Sequence, residues 1–107
     1  MGYKENYVID FTNVEYYVEM HTAIKDGMKF PEYYGGNWSA LWDCLTDRCG
    51  QNIHIEIHGL DVIERKFGEA ANKMIGILKR FKHCEQNKFC DIVQIEIVDG
   101  DRRISIQ

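Results

Sequence analysis

At 107 residues, with 45% hydrophobic and 28% charged residues, the chain has the length and balance of one globular domain spanning 1–107. Its 12% aromatic content and single proline exclude disorder, and no apolar run approaches the ~20 residues that cross a bilayer. A net charge of −4 weighs against direct binding of nucleic acid or an anionic membrane. Met1–Tyr7 lacks a signal-peptide core, so the expected location is the cytoplasm.

In chain order, Tyr7-Val8-Ile9-Asp10-Phe11 reads as a short strand with Tyr7, Ile9 and Phe11 on one face. Thr12-Asn13-Val14-Glu15 has the form of a capping box, in which a hydroxyl and a carboxylate satisfy the free amides of a helix start. Tyr17, Met20, His21, Ile24 and Met28 then come at helical spacing, with Gly27 as a stop. His21 lies on that apolar stripe and is expected to be a packed, hydrogen-bonded residue rather than a catalytic one.

Phe30–Asn37 is a loop in which Pro31 fixes one φ angle, Gly35 and Gly36 permit tight turns, and Asn37 caps the next helix. That helix runs from Trp38 to Arg48, with Gly50 as its stop. On a helical wheel, Trp38, Leu41 and Leu45 form its core stripe, and Ser39, Asp43 and Thr46 a separate polar one. Trp42 falls between the stripes, where so large a ring should be partly exposed.

Ile53–His58 alternates strictly, so Ile53, Ile55 and Ile57 face a core while His54, Glu56 and His58 face away. Two histidines flanking a carboxylate could hold a metal or act as acid and base, but a solvated sheet face is the expectation, and the row needs no special function. Leu60–Phe67 reads as a short helix and Gly68–Lys82 as a longer one, packed through Ala71, Met74, Ile75, Leu78 and Phe81. Lys79, Arg80 and Lys82 complement its C-terminal dipole. Val93–Val98 repeats the alternation, Asp99-Gly100-Asp101 signals a hairpin, and Arg103–Ile106 can pair back antiparallel. The order predicts a two-layer α/β domain: a small three-stranded parallel sheet, helices on one face, and an extra C-terminal antiparallel strand.

Cys44, Cys49, Cys84 and Cys90 are spaced C-x4-C and C-x5-C, without the CxxC pairs of zinc ribbons. His83-Cys84 beside Cys90 could form a metal corner, but reduced thiols, with no metal and no cofactor, are the expectation. Dinucleotide, P-loop, nucleophile-elbow and zincin signatures are absent, so no enzymatic activity is expected. Tyrosines, a border tryptophan and carboxylates on the 30–48 segment instead form a protein-binding surface.

Phe30–Thr46, FPEYYGGNWSALWDCLT, resembles the signature of the barstar family, intracellular inhibitors of the bacterial ribonuclease barnase. The similarity runs without a gap from about His21 to Thr46. It continues through the Ile53–Ile57 strand, the Gly68–Phe81 helix and Cys90-Asp91-Ile92, leaving the tail after Val98 uncovered. Cys44 and Cys90 coincide with the family's two cysteines; Cys49 and Cys84 are additions. The resemblance implies a small parallel sheet with helices against it, and stoichiometric inhibition by a loop and helix laid into the ribonuclease active site. Tyr33, Gly35, Asn37, Trp42 and Asp43 match family positions at or supporting that contact, with Asp43 at the place of the aspartate that stands in for the substrate phosphate. Tyr34 and Thr46 lie in the same matched stretch. Ser39 stands where the family has a second aspartate, and Asp47 where it has glycine. The acid on the last long helix falls on Glu85, or in another alignment on His83. The implied partner is a basic, extracellular-type ribonuclease bound by a free monomer. The alternative is an immunity or adaptor protein of this fold for another toxin or partner.

Overall fold

A computed structural model describes residues 5–32, 34–48, 52–83 and 93–106. Strand β1 (Glu5–Asp10) leads through helix α1 (Tyr17–Met28) and helix α2 (Trp38–Thr46) to strand β2 (Ile53–His58). Helices α3 (Leu60–Lys66) and α4 (Gly68–Lys82) then connect to β3 (Val93–Asp99), and β4 (Arg102–Ser105) closes the order. The strands lie in sequence order, with β1, β2 and β3 parallel and β4 antiparallel to β3. A parallel pair needs a long crossover, which the two helix pairs supply, whereas β3 and β4 need only a hairpin.

The alternation places the expected core residues of the strands inside. Tyr7, Ile9, Ile53, Ile55, Ile57, Val93 and Ile95 are buried on one sheet face with Phe11, against Met20, Ile24, Leu41, Leu45, Ile63, Met74, Leu78 and Phe81 of the helices. The opposite face is polar and carries an ion network. His54 and Glu96 are paired, His58 Nε2 lies 3.2 Å from Glu56, and Arg103 donates to Glu56 at 2.9 Å while lying 3.7 Å from Glu96. Glu56 and Glu96 sit directly opposite each other, a repulsive arrangement that the arginine between them relieves. Hydrogen bonds from Arg103 and His58 hold the Glu56 carboxyl below the usual carboxylate range. The row that could have been catalytic therefore directs its donors at its own carboxylates.

Both ends of helix α1 differ from expectation. Helix α1 starts at Tyr17, not behind Thr12: the Thr12 N–H and hydroxyl both donate to Asp10, at 2.9 and 2.5 Å, closing a turn off the strand. The helix start is served by Glu19, whose carboxylate accepts from the backbone N–H groups of Tyr16 at 2.8 Å and Glu15 at 2.9 Å. Nor is Gly27 the helix stop. The chain leaves α1 at Lys29, in the left-handed region at φ 56°, and Gly27 lies within the last turn.

Gly27 is there because α1 lies directly on the β1 backbone. A Cβ at this position would stand 2.5 Å from the Val8 carbonyl oxygen and 2.8 Å from Ile9 Cα. Gly76, on α4, faces open space. Alanine should therefore act oppositely at the two sites. Gly27→Ala should destabilise by ~1–3 kcal/mol through overpacking, while Gly76→Ala should stabilise by up to ~1 kcal/mol through helix propensity. Urea denaturation of both variants checks the contrast; equal effects would mean that α1 does not sit directly on the strand.

Candidate functional site

The loop 30–37 and α2 form a continuous surface held from below by buried groups. Asn37 caps α2, its side-chain oxygen accepting from the Ala40 N–H at 2.8 Å, which orients the first turn. Leu41, Cys44 and Leu45 face the core, and burial raises the Cys44 thiol pKa, leaving it poorly nucleophilic. Cys49, Cys84 and Cys90 lie outside the described residues. The helix ends at Thr46, two residues short of the expected Arg48, and Arg48 instead reaches across to α1. Its guanidinium donates to the carbonyls of Met28 at 2.5 Å and Lys29 at 3.2 Å, and lies 4.9 Å from the ring centres of both Tyr7 and Phe30. Carbonyls at a helix C-terminus have no helical partner, so this cation binds α2 to the end of α1.

Beneath the loop, His21 is only 5% exposed, and its Nδ1 lies 2.9 Å from the Tyr34 hydroxyl. Its ring packs against Trp38 at 4.5 Å and, edge-on, Tyr17 at 5.4 Å. Tyr34 is itself buried, which raises its hydroxyl pKa well above the ordinary phenol value. It supports the loop from beneath and presents little surface. Gly36 stands above His21 at φ 68°, a conformation that favours glycine.

The outer surface carries the polar stripe. Ser39, Asp43 and Asp47 are exposed, Gly35, Gly36 and Asn37 with them, and Trp42 is half-buried. Thr46 spends its hydroxyl on the Asp43 carbonyl at 2.9 Å. Asp43 lies in the last helical turn and Asp47 is the C-cap, so both carboxylates sit at the negative end of the helix dipole and one turn from each other. Among the described residues neither has an ion-pair partner. Each placement costs α2 stability, a local conflict that the folding of the helix does not explain.

Tyr33 and Glu85 lie outside the described residues. His83 caps the C-terminus of α4. On α4, Ile77 and Arg80 line a cleft together with α2, Arg80 with its guanidinium 4.4 Å from the Trp42 ring centre. Read along the chain, Arg80 is a helix-end cation; only the packing of α4 on α2 brings it to the stripe. Tyr17, placed on the apolar stripe of α1, is 45% exposed, and with Val18 it borders Gly35 and Gly36 across a cleft of about 310 Å³. Among the described residues no group of three His, Cys, Asp or Glu could hold a metal ion, and no helix is long and apolar enough to cross a membrane.

Burial lowers the His21 pKa from its ordinary 6.5. The unfolded chain then binds that proton more readily, so this contribution to stability is full above pH ~6.5, declines as pH falls below it, and levels off beneath the folded-state pKa. Carboxylates held low, such as Glu56 and Asp10, lose their contribution only at lower pH, from about 4 downward. His21→Asn keeps an acceptor for Tyr34 near the Nδ1 position. It should cost ~1–2 kcal/mol at pH 7.5 through lost packing and flatten the decline between pH 7 and 5. Urea melts at stepped pH read both effects; an unchanged slope would mean that His21 titrates freely.

Residues 5–96 match the family model described as "Barstar (barnase inhibitor)". A curated protein of Bacillus subtilis (strain 168), named "Putative ribonuclease inhibitor YrdF", is 28% identical over 85 residues, which is 79% of this chain and 90% of that protein.

Proposed function

The chain belongs to the barstar family, and from that premise we propose that it is a single-domain ribonuclease inhibitor. It acts in the cytoplasm as an immunity protein, blocking the active site of a barnase-like enzyme with loop 31–37 and α2. The observation that carries this reading is Asp43. It is an exposed carboxylate with no ion-pair partner among the described residues, on a short helix anchored by Arg48 and placed where it opposes the helix dipole. A ribonuclease site gathers arginine, lysine and histidine to bind phosphate. A rigid carboxylate meets those donors with paired, charge-assisted hydrogen bonds and occupies the phosphate position. Such a pair is favourable when buried only if the partner satisfies it fully, which a site built for a dianionic transition state can do.

Around Asp43 the remaining surface has separate duties. Trp42 supplies the large half-buried ring that anchors an interface, and exposed Gly35 and Asn37 let the partner approach the loop backbone. Tyr33, Tyr34, Ser39, Thr46, Asp47 and Glu85 complete the contact surface, Tyr34 as its support. The chain's net charge of −4 speeds encounter with a basic enzyme. Inhibition requires no catalytic residue or cofactor of its own.

Asp43→Ala should leave stability within ~0.5 kcal/mol of the parent or slightly above it, since it removes a carboxylate from an unfavourable helix position. It should weaken binding to barnase by ~2 kcal/mol or more, the hot-spot scale for which barnase and its inhibitor are themselves a reference case. Glu69→Ala, on the first turn of α4, should leave binding unchanged. Calorimetric titration, with hydrolysis of a fluorogenic RNA followed in parallel, measures both. If Asp43→Ala inhibits as well as the parent while Glu69→Ala does not, the interface lies elsewhere.

A further inference from the structure

Resting on α2 as the ribonuclease-facing element, we infer that Arg80 selects which ribonuclease is accepted: the cognate enzyme presents a carboxylate opposite the cleft between α2 and α4. The cleft holds about 290 Å³ and is lined by Trp38, Ser39, Trp42, Asp43, Ile77 and Arg80. The Arg80 guanidinium lies 4.4 Å from the Trp42 ring centre. A cation resting over an aromatic ring in this way keeps its N–H donors available for an acceptor. No carboxylate among the described residues takes those donors, although Asp43 lines the same cleft.

A guanidinium propped in this way has already surrendered much of its side-chain freedom. It is a fixed fork that a carboxylate can meet bidentately at little further entropic cost. Trp42 thereby serves two purposes, as an apolar anchor and as the rest that aims Arg80. The partner's face must then alternate in sign, a cation for Asp43 and an anion for Arg80. A uniformly basic face satisfies Asp43 and is repelled by Arg80, since like charges brought together out of water oppose binding. A nucleic-acid phosphate is the poorer ligand here. Asp43 in the same cleft, Asp47 one turn away and the net charge of −4 all repel a polyanion.

The test uses the full chain with barnase as the probe of a phosphate-binding, basic face. Binding is titrated for the parent, Arg80→Gln, Arg80→Glu and Asp43→Ala at low and high salt, and for barnase variants in which each arginine or lysine rimming the active site is changed singly to glutamate. Thermal melts and near-ultraviolet circular dichroism confirm that each variant is folded. Arg80→Glu should bind barnase at least ten-fold more tightly than the parent, Arg80→Gln should fall between, and the gain should shrink at high salt. One barnase charge reversal should tighten binding to the parent at least ten-fold and lose that gain against Arg80→Glu. If Arg80→Gln and Arg80→Glu weaken binding equally at both salt concentrations, Arg80 only props Trp42 and the inference fails. It fails too if Arg80→Glu matches the parent, or if Arg80→Gln abolishes binding of a labelled RNA, which would make phosphate the ligand. Should Arg80→Glu not fold, the barnase variants against the parent decide alone: with none binding more tightly, the inference is overturned. Asp43→Ala separates the levels. If it weakens binding ten-fold while the Arg80 results fail, the α2 interface stands without the selector; if it binds like the parent, both readings fall.

Discussion

The position of α2 depends on one cation. Arg48 packs against the rings of Tyr7 and Phe30 and donates to the carbonyls of Met28 and Lys29, so a single side chain connects β1, the end of α1, the start of the loop and the end of α2. At nine residues α2 is too short to be stable alone, and its placement must come from tertiary contacts. Leu41 and Leu45 hold its buried side, Asn37 sets its first turn, and Arg48 secures the far end. A guanidinium suits this place because its planar fork can reach two carbonyls while its faces rest on aromatic rings, which an ammonium cannot reproduce.

That rigidity allows the helix to carry charges it would otherwise disfavour. Asp43 and Asp47 oppose the dipole and each other, and the surrounding packing absorbs the cost. The loop has a comparable arrangement beneath it. His21 and Tyr34 form a buried polar pair, and such pairs select one loop conformation because any other leaves both groups unsatisfied. The side chains at this surface are thus held from two directions, by Arg48 through the helix and by His21 through the loop.

Much of this architecture was legible in the residues. Strict alternation at Ile53–His58 and Val93–Val98 reports a sheet covered on one side, and the buried isoleucines come from it directly. The Asn37 cap was equally readable, because it depends on a neighbour three residues away, and the half-exposed Trp42 followed from its angle on the helical wheel. The features that were not legible involve longer reach. Thr12 has the chemistry of a helix cap, but Asp10 competes for its donors and wins, so the cap falls four residues later, at Tyr16. Gly27 looks like a stop because the strand that forbids a side chain there is distant in sequence. Arg48 and Arg80 are long, flexible side chains whose partners are set by helix packing, and local pattern contains nothing about where they point.

The far side of the sheet has a consequence for how the chain behaves among its copies. A parallel sheet ending at β3 would expose a seven-residue row of unpaired amides and carbonyls, half of it flanked by isoleucine and valine. β4 occupies that border with only four residues, all exposed, beginning Arg102-Arg103 after a tight turn at Gly100. Short, charged outer strands are poor templates for further pairing, because any added strand would gain few hydrogen bonds and bring charge against charge. The C-terminal hairpin thus works as a selvedge, finishing this border of the fabric against extension into a neighbouring molecule.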